Sequence, residues 1–203
     1  MRILGLDEAG RGCVLGPLVM GGFFIDGREQ EELRQAGAAD SKAISAARRE
    51  AALPRLLALG TLSLRRVEPI EIDEGNLNEL EICAFISLVA EFRPERVYLD
   101  APVHPRGIPK LQARLVRETG VEDWIIEPKA DATWPVVGAA SIGAKLSRDA
   151  AIHALGNVGS GYPSDPVTRA LLADLLRRGQ PLPPWVRSRW GTIEALRQQN
   201  LFS

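Results

Sequence analysis

Three short apolar segments in this chain each run into an acidic residue. Residues 2–6 lead to Asp7-Glu8, residues 96–99 end at Asp100, and residues 124–127 are followed closely by Lys129-Ala130-Asp131. Short apolar runs of this kind read as buried strands. Between them lie segments with helical periodicity. Residues 76–92 place Leu77, Leu80, Ile82, Ala84, Phe85, Leu88 and Val89 on one broad face, and residues 108–118 form a second helix. Side chains at the ends of neighbouring strands can converge even when they are far apart in sequence.

The rest of the chain completes an α/β pattern. Residues 14–25 are apolar and glycine-rich, consistent with a second strand after a turn, and residues 61–67 alternate at first like a half-exposed strand. Helices are expected over 29–36, 45–57 and 135–155, with Pro54 near an end or a kink and Pro135 in a first turn. A Gly/Pro/Ser loop spans 156–163, Asp165 caps the next helix with Pro166 at its first position, and short helices finish the chain. The fold class is therefore α/β: a central mixed sheet flanked by helices, with a helical C-terminal portion. The expected division is a catalytic domain over 1–160 and a helical region over 161–203 packed on or beside it.

Composition excludes several classes. The 203 residues are 45% hydrophobic and 25% charged, as in ordinary soluble globular proteins. A net charge of −1 argues against coating nucleic acid by bulk charge, although local basic regions remain, such as the arginines between 165 and 203. The longest apolar run, residues 13–25, is broken by Gly16, Pro17, Gly21 and Gly22 and is too short for a membrane span of about 20 residues. Acids at positions 7 and 8 spoil a signal peptide, so a cytoplasmic protein is expected. Cys13 and Cys83 form no CxxC pair and read as small buried hydrophobes in a reducing compartment. His104 and His153 are isolated.

Four carboxylates gathered at one place would repel one another unless cations were present. Carboxylate oxygens are natural ligands of Mg²⁺ or Mn²⁺. Two such ions can activate water and stabilise the leaving oxygen in phosphodiester cleavage. Taken singly, acids after strands are commonly turn and cap residues; their combination with an adjacent Gly10-Arg11-Gly12 favours chemistry. Glycines let the backbone approach a sugar closely and present its own polar groups.

The motif Asp7-Glu8-Ala9-Gly10-Arg11-Gly12 after an N-terminal strand resembles the defining motif of the ribonuclease HII family. Further blocks follow in the family order: Asp40-Ser41-Lys42, Tyr98-Leu99-Asp100, Lys129-Ala130-Asp131 and Ala139-Ala140-Ser141-Ile142-Gly143-Ala144-Lys145 with Arg148-Asp149. Then come Gly159-Ser160-Gly161-Tyr162-Pro163-Ser164-Asp165-Pro166 and Arg187-Ser188-Arg189-Trp190. The wording is closer to the archaeal and eukaryotic branch. The resemblance implies a ribonuclease H-like fold, with Asp7, Glu8, Asp100 and Asp131 as catalytic, metal-binding acids holding two Mg²⁺ or Mn²⁺ ions. It implies cleavage of RNA in RNA–DNA hybrids and incision 5′ to ribonucleotides embedded in DNA, leaving 3′-hydroxyl and 5′-phosphate ends. It also implies that Gly10, Arg11 and Gly12 read the ribose 2′-hydroxyl together with Tyr162.

Lys42 and Lys145 are candidates for backbone phosphate contacts. Arg148 and Asp149 read as a structural ion pair, and Trp190 as a packing residue. The ending Gln198-Gln199-Asn200-Leu201-Phe202-Ser203 resembles short peptides that dock on DNA sliding clamps. The chain is expected to be a monomer. Two rival readings stand beside the first. One is a ribonuclease HIII-like hybrid nuclease, a family that usually carries an extra N-terminal domain; a catalytic motif starting at residue 7 leaves no room for one. The other is a non-catalytic hybrid-binding module, which gains nothing from clustered acids beside phosphates.

Overall fold

The structure, a computed structural model, describes residues 1–27, 30–38 and 44–201, with side chains up to residue 198. The block around Lys42 and the tip of the C-terminal tail, including Phe202, therefore lie outside the described residues.

A five-stranded sheet organises the molecule. Its strands are β1 (Arg2–Ala9), β2 (Leu18–Asp26), β3 (Thr61–Val67), β4 (Arg96–Asp100) and β5 (Asp123–Glu127), in the order β3-β2-β1-β4-β5. β1 pairs antiparallel with β2 and parallel with β4, so the sheet is mixed as expected. The first strand runs further than its apolar run suggests. Asp7 and Glu8 sit inside it, because pairing with β2 continues to Ala9 opposite Val19. The second strand starts later, since residues 13–17 are taken up in a turn.

Helices cover both faces. On one lie α1 (Gln30–Ala36), α2 (Ala46–Leu57), α6 (Ala130–Thr133) and the long α7 (Pro135–His153). They share an apolar cluster with Ile3, Phe23, Ile25 and Tyr98. On the other, α3 (Pro69–Glu74), α4 (Leu77–Phe92) and α5 (Ile108–Thr119) pack on Leu4, Leu6, Leu18 and Leu99. The alternation of Ile3 against Leu4 and Leu6 is strand periodicity at work. α3 is not anticipated by periodicity; its signals are Pro69 at the first position and a capping box of Glu68 and Glu71. Cys13 is buried as expected, but Cys83 is exposed, on the outer side of α4.

α7 lies unusually close to the sheet. A Cβ on Gly5 would meet the Val136 backbone at 2.3 Å, and one on Gly21 would meet the Ala140 carbonyl oxygen at 2.5 Å. Only glycine at these two positions lets the helix seat where it does, directly above β1 and β2.

The C-terminal helices α8 (Pro166–Arg177) and α9 (Gly191–Leu201) pack in a third cluster. It joins Leu172, Val186, Ile193 and Leu196 to Val14 and Leu15 from the turn after β1, and to Ile152 from α7. No helix among the described residues is long and apolar enough to cross a membrane.

Candidate active site

Asp7, Asp100 and Asp131 converge: one carboxylate oxygen from each lies within 4.8 Å of the others. Three separate elements deliver them. Asp7 comes from the interior of β1, Asp100 from the last position of β4, and Asp131 from α6 just after β5. β1, β4 and β5 are parallel neighbours, so their C-terminal ends lie on one edge of the sheet. Asp100 also builds the turn that carries Asp131. Its Oδ1 accepts from the backbone N–H groups of Lys129 (2.7 Å) and Ala130 (3.4 Å), and Lys129 is held at φ 60°.

Strand parity separates Asp7 from Glu8. Asp7 shares the α7 face with Ile3 and lies beside Ser141 and Lys145. Glu8 falls on the opposite face, toward Glu81 of α4, yet still lines the cavity at the strand's end. The metal-compatible trio thus excludes Glu8, although Asp100 lies near enough to act on it electrostatically.

Asp7 and Glu8 are poor candidates for remaining ionised without help. Burial, then the neighbouring Glu8, holds the Asp7 carboxyl well above the usual carboxylate range. Burial followed by the charges of Glu81 and Asp100 pushes Glu8 up to about 7. Lys145 partly offsets the rise at Asp7. Its Nζ donates to Ser141 Oγ at 3.0 Å and lies 3.9 Å from Asp131. An all-oxygen donor set in which the buried Asp7 is disfavoured as a bare anion suits a hard divalent cation.

The cavity has a volume of about 410 Å³. Its walls bring together nearly every residue the sequence singled out: Asp7, Glu8, Gly10, Arg11, Gly12, Asp100, Lys145 and Tyr162. Gly10 turns the chain out of β1 at φ 89°, a region side chains rarely adopt. The Arg11 side chain is turned toward α4, where its guanidinium donates to Glu81 and Asn78. Glu81 is 1% exposed and, through burial, rises to about 7 despite that partner.

Tyr162 sits beside Gly12, whose added Cβ would lie 3.8 Å from the ring. The Arg148 guanidinium lies over that ring at 4.6 Å, donates to Cys13 Sγ at 3.0 Å and reaches the Ser160 carbonyl oxygen at 3.3 Å. Arg148 does pair with Asp149, as the sequence suggests, but it also fixes the tyrosine. Arg49 is a cavity residue that motif reading missed; it reaches Asp149 from α2 at 3.3 Å. No local signal distinguishes it from the other arginines of that helix. Trp190 packs as expected, in the apolar clusters, with the buried Arg187 over its ring at 5.1 Å.

A family profile described as Ribonuclease HII matches residues 4–193. A ribonuclease HII of Pyrococcus horikoshii is 40% identical over an alignment covering 98% of this chain and 94% of the relative. The crystal structure of the ribonuclease H2 from Pyrococcus horikoshii superposes with a TM-score of 0.88 at 37% identity, covering 100% of both chains. The ribonuclease HII of Archaeoglobus fulgidus, solved in complex with PCNA, gives a TM-score of 0.86 at 37% identity, covering 97% of each chain.

Proposed function

The chain belongs to the ribonuclease HII family and is a ribonuclease H enzyme, and on that premise we propose that it cuts the RNA strand of RNA–DNA hybrids and incises 5′ to single ribonucleotides in duplex DNA. The observation that carries this reading is the convergence of Asp7, Asp100 and Asp131 within 4.8 Å. Asp7, Glu8, Asp100 and Asp131 would hold two Mg²⁺ or Mn²⁺ ions. Such ions, when bound, supply Lewis acidity both for attack of water on phosphorus and for charge on the departing 3′-oxygen.

The protein's own residues do the rest. Asp7 lies centrally, between Glu8 along its strand and Asp100 across the sheet, so its carboxylate is the one on which holding the ions would depend most. Ser141 and Lys145 hold Asp7 and Asp131 in place from α7. Lys145 and the neighbouring Arg49 offer cations to backbone phosphates, which position a duplex without reading its sequence. Lys42 belongs to the same proposal by family likeness. Gly10, Arg11 and Gly12 present backbone to the ribose, the feature that separates RNA from DNA. Tyr162 flanks them with a ring held by Arg148.

The test is a cleavage assay on a duplex with one embedded ribonucleotide and on a continuous hybrid, with Mg²⁺, Mn²⁺ or a chelator. Cutting at the single ribonucleotide, lost with the chelator, is expected. Cutting of continuous hybrids alone would favour a ribonuclease HIII-like specificity, and binding without cutting a hybrid-binding module. Asp7→Asn should remove cleavage by at least about a thousandfold while duplex binding persists; wild-type turnover by that variant sinks the assignment.

The relative from Archaeoglobus fulgidus was solved with PCNA, and this supports a sliding clamp as a partner; we assign the contact to residues 198–202 on their likeness to clamp-docking peptides. A pull-down comparing the full chain with one ending at Arg197 checks it. Clamp retained by the full chain alone is expected; equal retention by both would end the idea.

A further inference from the structure

The largest fully buried side chain among the described residues is a cation, Arg187. It comes from the C-terminal segment between α8 and α9, yet all three of its hydrogen bonds go to the turn after β1. Nη2 donates to the Gly10 carbonyl oxygen at 2.8 Å, Nη1 to that of Arg11 at 3.1 Å and Nε to that of Gly16 at 3.1 Å. These are carbonyls, not carboxylates. A buried guanidinium without a carboxylate hydrogen-bond partner is a costly way to fill space, and an apolar side chain packs more cheaply.

The bonds fix which way the turn faces. In a planar trans peptide the C=O of one residue and the N–H of the next point in opposite directions. The Gly10 and Arg11 carbonyls face Arg187, so the N–H groups of Arg11 and Gly12 face away from it. Residues 10–12 line the cavity with Asp7, Asp100 and Tyr162 while Arg187 is not among its walls, so the amides turned away from Arg187 are the ones that can reach it. Neither N–H donates to another group among the described residues. A planar guanidinium fork holds several acceptors in one fixed geometry, which the single ammonium of lysine does not.

We propose that Arg187 is a positioning residue for ribose recognition: it turns the Arg11 and Gly12 amides into the cavity, where they donate to an oxygen of the ribonucleotide. The inference rests on the function proposed above, but concerns a residue that lines none of the cavity. Specificity for ribose is thereby set partly from the C-terminal region, on the far side of the turn from the substrate.

Two measurements test it. In the first, amide resonances of the wild-type chain are followed, under a chelator so that no cleavage occurs. The protein is titrated with a duplex bearing one ribonucleotide and with the all-DNA duplex of the same sequence. The Arg11 and Gly12 amides should shift with the first duplex and not the second; identical responses overturn the proposal. In the second, Arg187→Lys and Arg187→Met are compared with wild type. Cleavage efficiency at the single ribonucleotide should fall roughly ten- to a hundredfold, the scale of a small misplacement. The rise in melting temperature that Mn²⁺ gives should be retained, because the acids do not touch Arg187. Wild-type efficiency in Arg187→Lys overturns the proposal. So does loss of the Mn²⁺ effect in step with activity, which marks general structural support. If neither variant folds, the amide titration decides alone. Failure of the wild type to cut any ribonucleotide-bearing duplex overturns the functional reading itself, and this inference with it.

Discussion

At the residue scale, the acids carry an energetic signature that is separate from catalysis. The Asp7 and Glu8 carboxyls are raised in the folded protein, chiefly by burial, Glu8 to about 7. A group raised in this way favours folding while protonated. Its contribution is complete below the unfolded value near 4 and is lost as pH climbs through the folded value, here about 7 for Glu8. Metal-free protein should therefore lose stability across that window, and a divalent cation should restore it. Asp7→Asn removes one of the repelling charges and keeps an oxygen for Ser141. At pH 7.5 under a chelator, the variant should melt about 2–4 °C above wild type, the scale of about 1 kcal/mol in a chain of this length. The difference should vanish near pH 4, and Mn²⁺ should raise the wild type more than the variant. A metal-free variant that melts below wild type at pH 7.5 contradicts the account. Much at this scale was legible in the sequence. The four acids, Lys145 and Tyr162 all line or approach the cavity, because the C-terminal ends of the parallel strands, α7 and the loop after α7 meet at one edge of the sheet. The roles of Arg148 and Glu81 were not legible. A guanidinium over a tyrosine ring, and a buried glutamate under an arginine, depend on contacts between residues 14 and 70 positions apart.

At the element scale, the site depends on one close approach. α7 carries Ser141, Lys145 and Arg148, and it sits low enough to use them because Gly5 and Gly21 lack side chains. Gly5→Ala would place a methyl 2.3 Å from the Val136 backbone, where nothing flexible can yield. The cost should be about 1–3 kcal/mol, visible as a lower urea midpoint. Cleavage by the fraction that remains folded should also fall, since the helix must lift its cations away from β1. An unchanged midpoint would mean that the helix has room the geometry denies. The helices and strands themselves follow closely from periodicity. Two departures have physical causes. β1 extends through Asp7 and Glu8 because ladder pairing with β2 outweighs the charge of their side chains. Residues 14–17 leave the second strand because they bond elsewhere: Val14 to Gly161 and Gly16 to Trp185.

At the scale of the whole molecule, residues on both sides of the expected boundary near residue 160 share one apolar cluster. Val14 and Leu15 from the first turn share an apolar cluster with Leu172, Val186, Ile193 and Leu196, and Leu15 pairs with Val186 as a short bridge. Ile152 ties the same cluster to α7, the helix that supplies Lys145. Asp73 of α3 accepts from the Ser188 N–H and hydroxyl at 2.6 and 2.7 Å, anchoring the C-terminal segment from the other side of the sheet. Removing the C-terminal region would expose those apolar residues and leave the Gly10, Arg11 and Gly16 carbonyls without Arg187, so we expect neither part to hold its structure alone. Shared cores of this kind unfold together. Under a chelator, calorimetry should give one transition in which the calorimetric and van't Hoff enthalpies agree. Hydrogen exchange in α8 should be protected to the same global limit as in β1. An earlier transition confined to residues beyond 160, with the acids still gathered and Mn²⁺ still binding, would establish the C-terminal region as a separate domain. Ribose recognition would then be the first property lost on warming, before metal binding, because the turn that faces the ribose is held from that region.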